Sequence, residues 1–298
     1  MVRFRHTDVF SFGLTAVLCL FGSYHSAHAD TIYVANSGDN TIEKFDQSGN
    51  PSLFADTGTG SPWGLALDAN ENLYASIPSS NTIEEIDSSG NVSLFASGLN
   101  NPTGLGFDTN GNLYVSNING FSERSPTGSN IITLGTLLLS HANGIAIDSN
   151  GKVYFGNDHS NLIATYDPAT SGFSTFTFTG VSLPMQMAFD SHGNLFVANS
   201  GNNTVEKFDS SGNGTVFANT GLDAPTGLAF DSSGNLYVAN SGNNTIEEFD
   251  PSGNGSLFAS TGLDTPYFIA IQVPEPAALS LTILGLLGLS ACFRKRNI

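Results

Sequence analysis

The chain has 298 residues, 26 of them acidic against nine basic, for a formal charge of −17. Its two cysteines, Cys19 and Cys292, lie near the ends, so the body between them has no disulfide, Cys-bound zinc or thiol nucleophile. Between residues 30 and 273 only Lys44, Arg124, Lys152 and Lys207 are basic against 24 acidic residues. That balance repels phosphate backbones, so no nucleic acid is expected as a partner.

Residues 1–29 read as a secretory signal peptide. Arg3 and Arg5 supply a positive start, Val9–Phe21 is apolar, and Ala27-His28-Ala29 is a small-x-small cleavage signal before Asp30. The apolar run is short for a membrane anchor. Leu18 fits poorly before a lipid-modified Cys19.

Beyond Asp30 a strand pattern recurs six times, at Ile32–Asn36, Leu73–Ile77, Leu113–Asn117, Val153–Asn157, Leu195–Asn199 and Leu236–Asn240. Its aromatic residues, Tyr33, Tyr74, Tyr114, Tyr154, Phe196 and Tyr237, are 41, 40, 40, 42 and 41 positions apart. A period near 40 in β-type sequence means a propeller. Apolar residues at both parities imply strands buried on both faces, as stacked blades require. Each copy is preceded by a short apolar strand such as Gly64–Asp68 or Gly227–Asp231, and followed by a Thr-Ile-Glu-Lys-Phe-type strand and a Ser-Leu-Phe-Ala-type strand. Asp-x-x-Gly-Asn turns, as at Asp87–Asn91 and Asp209–Asn213, join them, with Asp bonding the turn backbone and Gly taking positive φ. A partial resemblance of these turns to a calcium loop lacks the full ligand set.

The repeat thus has four antiparallel strands, A to D. The chain opens on strands B, C and D and ends on a lone strand A at Phe268–Gln272, with five complete blades between. The expected fold is all-β, a six-bladed β-propeller closed three-plus-one, spanning residues 30–273. Closure removes the open ends of a linear array. The weakest copy is blade 2, whose third-strand pattern is lost around Gly120–Thr133.

Pro-x-Gly-Leu-Ala-x-Asp, Gly-Asn-Leu-Tyr-Val-Ala-Asn and Asn-Thr-Ile-Glu-x-Phe-Asp together resemble NHL repeats over nearly all of residues 30–273. The resemblance implies the fold and leaves function open, since such propellers include binding modules and enzymes. This chain has Asn where the family usually has Asp after Leu-Tyr-Val-Ala.

Residues 274–298 carry a second address. Pro274-Glu275-Pro276 precedes an uncharged run, Ala277–Phe293, and then Arg294, Lys295 and Arg296. The run can just span a bilayer, with the basic cluster staying cytoplasmic. This tail resembles the PEP-CTERM sorting signal of exosortase substrates. The resemblance implies export, transient membrane insertion through the C-terminal helix, and tail removal by an exosortase-type enzyme after signal peptidase has acted. The destination is then the cell surface or extracellular matrix. A permanent single-span anchor is the alternative.

Candidate site residues lie where the repeat fails. The residue before each inner strand is expected to face the central mouth: Trp63, Thr103, Asn143, Met185, Thr226 and Tyr267. Trp63 and Tyr267, in adjacent blades, would form an aromatic shelf suited to sugar rings, or else plug the channel. Two blade-3 loops, Leu139–Gly144 and Gly156–Asn161, bring His141, Asn143, Asn157, Asp158 and His159 to the same rim. These could bind a divalent cation (Ca or Mg) or act as acid and base. The expected function is a non-catalytic binding module with no required cofactor, for exopolysaccharide or surface proteins. The alternatives are a lactonase of the gluconolactonase type or a streptogramin-lyase-like enzyme. At the mouth positions only Asn143 fits the former's ligand pattern, and the latter's seven blades exceed the six counted here.

Overall fold

A computed structural model describes residues 30–135, 139 and 141–273. The proposed signal peptide and the 274–298 tail lie outside the described residues. Six four-stranded antiparallel sheets follow one another along the chain. The closing blade joins Thr31–Asn36, Thr41–Phe45 and Pro51–Asp56 to the last strand, Pro266–Gln272, which pairs Gln272 with Thr31 and Ile269 with Val34. Blades 1 to 5 each take four consecutive strands. The expected three-plus-one ring is the observed fold.

The B strands from Leu73–Ile77 to Leu236–Asn240 are buried at all five positions. Both faces carry apolar side chains because each blade is packed by two neighbours. A repeated aromatic contact joins blades: Tyr74 sets its edge on Phe95 and Phe107, both at 4.9 Å, and Phe196 does the same with Phe217 and Phe230. Such pairs contribute about 0.5–1.5 kcal/mol beyond area burial. Near the axis, glycine sets the blade spacing. A Cβ on Gly104 would strike the carbonyl of Asn143, and one on Gly144 that of Met185.

Blade 2 completes its sheet although its third-strand pattern is lost. Gly120–Arg124 and Asn130–Leu134 both form strands, because Leu113–Asn117 offers Gly120–Arg124 a full antiparallel ladder. Neighbouring backbone overrides weak local preference here.

The Asn that ends most B strands has a direct physical reason. Asn240 donates from Nδ2 to Gly221 O at 2.9 Å and accepts from Asp223 N at 3.1 Å, and Asn199 repeats this with Gly180 and Ser182. Asp cannot make the donating bond. The buried amide therefore ties the D–A loop to the B strand of the next blade.

The Asp-x-x-Gly-Asn turns are satisfied internally. Asp209 Oδ1 accepts from Ser211 N and Asn213 N while Oδ2 accepts from Asn213 Nδ2, and Gly212 has φ +83°. Hydrogen bonds, first from the turn Asn side chain, hold Asp46, Asp87, Asp209 and Asp250 below the ordinary value of 3.8. Burial holds Glu43, Glu84, Glu206 and Glu247 above their ordinary 4.5. The two sets act oppositely. The depressed Asp groups give stability present above pH 3.8 and lost as pH falls through their lower folded values. The raised Glu groups give stability present below pH 4.5 and lost as pH rises through their higher folded values. The melting temperature is therefore expected to peak between about pH 4 and 6, and self-repulsion of the −17 charge adds to the fall above it. Thermal melts from pH 3 to 8 check this; a melting temperature at pH 8 equal to that at pH 5 contradicts it.

Candidate functional site

Antiparallel strand order puts the D–A and B–C loops on one face of the ring, where the blades differ most. Trp63 and Tyr267 precede or begin the inner strands of blade 1 and the closing blade. They meet there with ring centroids 4.7 Å apart and planes tilted by 30°. Both rings are half-buried. Phe268 N donates to Trp63 O at 3.3 Å, so the backbones that carry the two rings are joined directly. Phe268 stacks beneath Tyr267 at 5.4 Å and 19°, and Met185 belongs to the same apolar cluster. The shelf thus rests on a packed floor. Burial, and then the negative charge of Asp158, pushes the Tyr267 hydroxyl above its usual range, which keeps it a neutral donor.

The other mouth positions divide. Thr103 is buried and its hydroxyl donates to Ala142 O of the next blade at 2.9 Å. Thr226 is likewise buried and donates to Pro266 O at 3.0 Å. Their hydroxyls are committed to holding blades together. Asn143 Nδ2 donates to Asp158 Oδ2 at 2.8 Å and lies 3.8 Å from Met185 Sδ. It links the blade-3 rim to the floor of the mouth.

The blade-3 loops come together as two pairs. The rings of His141 and His159 stack at 5.0 Å with planes 23° apart, and His141 holds a left-handed φ of +59°. Asp158 N donates to His141 O at 3.4 Å, and Asp158 also receives the Asn143 amide. Asn157 is fully buried and its Oδ1 accepts from Ser160 N at 2.9 Å, a turn-forming contact. Among the described residues no group of three or more His, Cys, Asp or Glu is placed to hold a metal ion.

One residue at the axis was not read from the sequence as part of the site. Gln186 stands where four other inner strands carry Gly64, Gly104, Gly144 and Gly227. Its Oε1 accepts from Leu228 N and Ile269 N, both at 2.9 Å, and its Nε2 donates to Ile269 O at 2.7 Å. One side chain therefore joins three blades across the channel. The sequence signal was the break in the glycine column.

Pockets partly open to solvent lie elsewhere. One of about 290 Å³ sits between the Asp190 and Asp231 turns, one of about 480 Å³ between the Asp148 and Asp190 turns, and one of about 200 Å³ under Gly98–Asn100. None of these three is lined by Trp63 or Tyr267.

Residues 222–249 match the model of the NHL repeat. No curated protein matches the sequence. Among solved structures, a chain of a nidogen/laminin complex is similar with a TM-score of 0.74 at 18% identity, covering 83% of this chain and 100% of that one. Virginiamycin B lyase from Staphylococcus aureus gives a TM-score of 0.58 at 20% identity, covering 70% and 73%. A streptogramin B lyase gives 0.60 at 14%, covering 81% and 91%. At these identities the likeness is one of fold. The chain is a six-bladed β-propeller of four-stranded blades, and one segment of it, residues 222–249, matches the NHL repeat.

Proposed function

We propose that this chain is an exported binding module that takes neutral glycan on the Trp63–Tyr267 shelf. The contact between those two half-buried rings at the ring mouth carries the reading. Sugar rings present apolar C–H faces to aromatic planes, and the Asp158–Asn143 pair beside the shelf offers polar groups to hydroxyls. A net charge of −17 favours a neutral polysaccharide over an acidic one. The fold's likeness to a chain of a nidogen/laminin complex fits an interaction role.

Export completes the proposal. Signal-peptide cleavage before Asp30 would leave the first strand, Thr31–Asn36, intact. The PEP-CTERM-like tail starts at Pro274, two residues after the closing strand ends at Gln272, so exosortase-type removal would leave every strand in place. Delivery to the cell surface or matrix then puts the shelf among extracellular polysaccharides.

Isothermal titration with neutral oligosaccharides tests the shelf. Replacing either ring with Ala is expected to weaken binding by roughly tenfold or more, the loss of an aromatic contact with its buried area. Unchanged affinity in both Trp63→Ala and Tyr267→Ala removes the shelf from the account.

A further inference from the structure

Blade 2 departs from the repeat at three positions that share one strand face. Where the third strands of the closing blade and blades 1, 4 and 5 have Thr, Glu and a buried Phe or Ile, blade 2 has Gly120, Ser122 and Arg124. Arg124 therefore occupies the place of Phe45, Ile86, Phe208 and Phe249, which are all at most 1% exposed. It is itself only 8% exposed. Ser122 pairs with Val115 and Arg124 with Leu113, residues whose cluster includes Tyr74, Ile83 and Leu99 of blade 1, so this face looks into the blade 1–blade 2 interface.

A charged side chain in such a place needs a partner, and none is present among the described residues. Arg124 Nε is buried with no hydrogen bond, and the guanidinium has no ion pair. Burial alone lowers its pKa, with no neighbouring carboxylate acting against it. A guanidinium placed this way, with its Nε buried and unpaired, is stabilised by an anionic partner.

Space lies beside it. In blades 4 and 5 the Glu at the Ser122 position fills the room under the preceding loop, and a Cβ on Gly180 or Gly221 would lie 3.3 or 3.1 Å from the carboxyl group of Glu206 or Glu247. In blade 2 a Cβ on the corresponding Gly98 meets nothing within 4 Å, as is also the case at Gly58 before blade 1. A cavity of about 200 Å³, partly open to solvent, is lined there by Gly98, Asn117, Ser122 and Arg124. Asn117 Nδ2 donates to Ser122 Oγ at 2.7 Å, leaving the serine hydroxyl hydrogen to donate elsewhere.

We propose that this cavity is a binding site for a small oxyanion, held by the Arg124 guanidinium and the Ser122 hydroxyl. A carboxylate, phosphate or sulfate offers the two-oxygen edge that a guanidinium fork bonds bidentately. The anion takes the place of the Glu that the other blades carry on their own chain. The site is independent of the aromatic shelf, and it gives a strongly acidic protein a local point of attraction for an anion.

Thermal melts at constant ionic strength test it, with acetate, glucuronate, inorganic phosphate or sulfate compared against chloride. The wild-type melting temperature is expected to rise by roughly 2–4 °C or more at saturating anion. Response to acetate and glucuronate assigns a carboxylate ligand, and response to phosphate or sulfate assigns an inorganic one. Ser122→Glu, which restores the repeat residue and supplies an internal counter-ion, is expected to melt higher without added anion and to lose the anion response. Arg124→Phe, the residue blades 4 and 5 use, is expected to fold and to be equally unresponsive. No shift beyond chloride in the wild type, or the same shift in both variants, overturns the proposal.

Discussion

A chain cut before Phe268 is expected to melt far below the full-length protein. The cut removes Phe268 and Ile269, which are 2% and 1% exposed, and deletes the ladder that pairs Ile269 with Val34 and Gln272 with Thr31. It also removes the Gln272 acceptor of the Tyr33 hydroxyl and the Phe268 N–H bonded to Trp63 O. Removing one buried Phe or Ile side chain costs about 2–5 kcal/mol. Losing both with their strand approaches the roughly 5–15 kcal/mol that holds a whole domain folded. The opened ring would also expose Thr31–Asn36 as an unpaired edge, with aggregation as a second consequence. Circular dichroism melts of the two chains check this; equal melting temperatures contradict closure by the last strand.

Gln186→Leu is expected to have the next largest effect. The variant keeps the bulk but leaves Leu228 N, Ile269 N and Ile269 O without the partner they have at 2.7–2.9 Å. Each buried unpaired group costs about 1–3 kcal/mol. A total near 3 kcal/mol corresponds to a fall of roughly 6–12 °C for a domain of this size. Gln186→Glu keeps the acceptor but turns the donor into an oxygen facing Ile269 O, so it is also expected to be destabilised, most at neutral pH. A Leu variant that melts with the parent contradicts the role given to Gln186.

The architecture was legible because it rests on local, repeated chemistry. Leu-Tyr-Val-Ala-Asn strands recur at a fixed period, Asp and Gly mark each turn, and the odd strand at Phe268–Gln272 has one place to go. The mouth was partly legible. Trp63 and Tyr267 break the repeat in adjacent blades, so their meeting followed from closure. The commitment of Thr103 and Thr226 to neighbouring carbonyls did not, since it depends on the close approach that axial glycines permit. Asn157 reads like its neighbours His141 and Asp158 as a polar loop residue, yet it is buried within its own turn. Gln186 appeared only as a missing glycine; its three partners come from two other blades, 42 and 83 residues away along the chain. The unpaired state of Arg124 depends on what its neighbours lack, which no single position in the sequence displays.

The shelf is the centre of the functional account, and Trp63 is the only tryptophan in the chain. Its fluorescence therefore reports the mouth alone. Titrating the protein with neutral oligosaccharides is expected to change Trp63 emission along a saturable curve, with the curve lost or shifted at least tenfold in Tyr267→Ala. Emission that stays constant to millimolar glycan, with no heat of binding in the same range, contradicts a glycan-binding mouth.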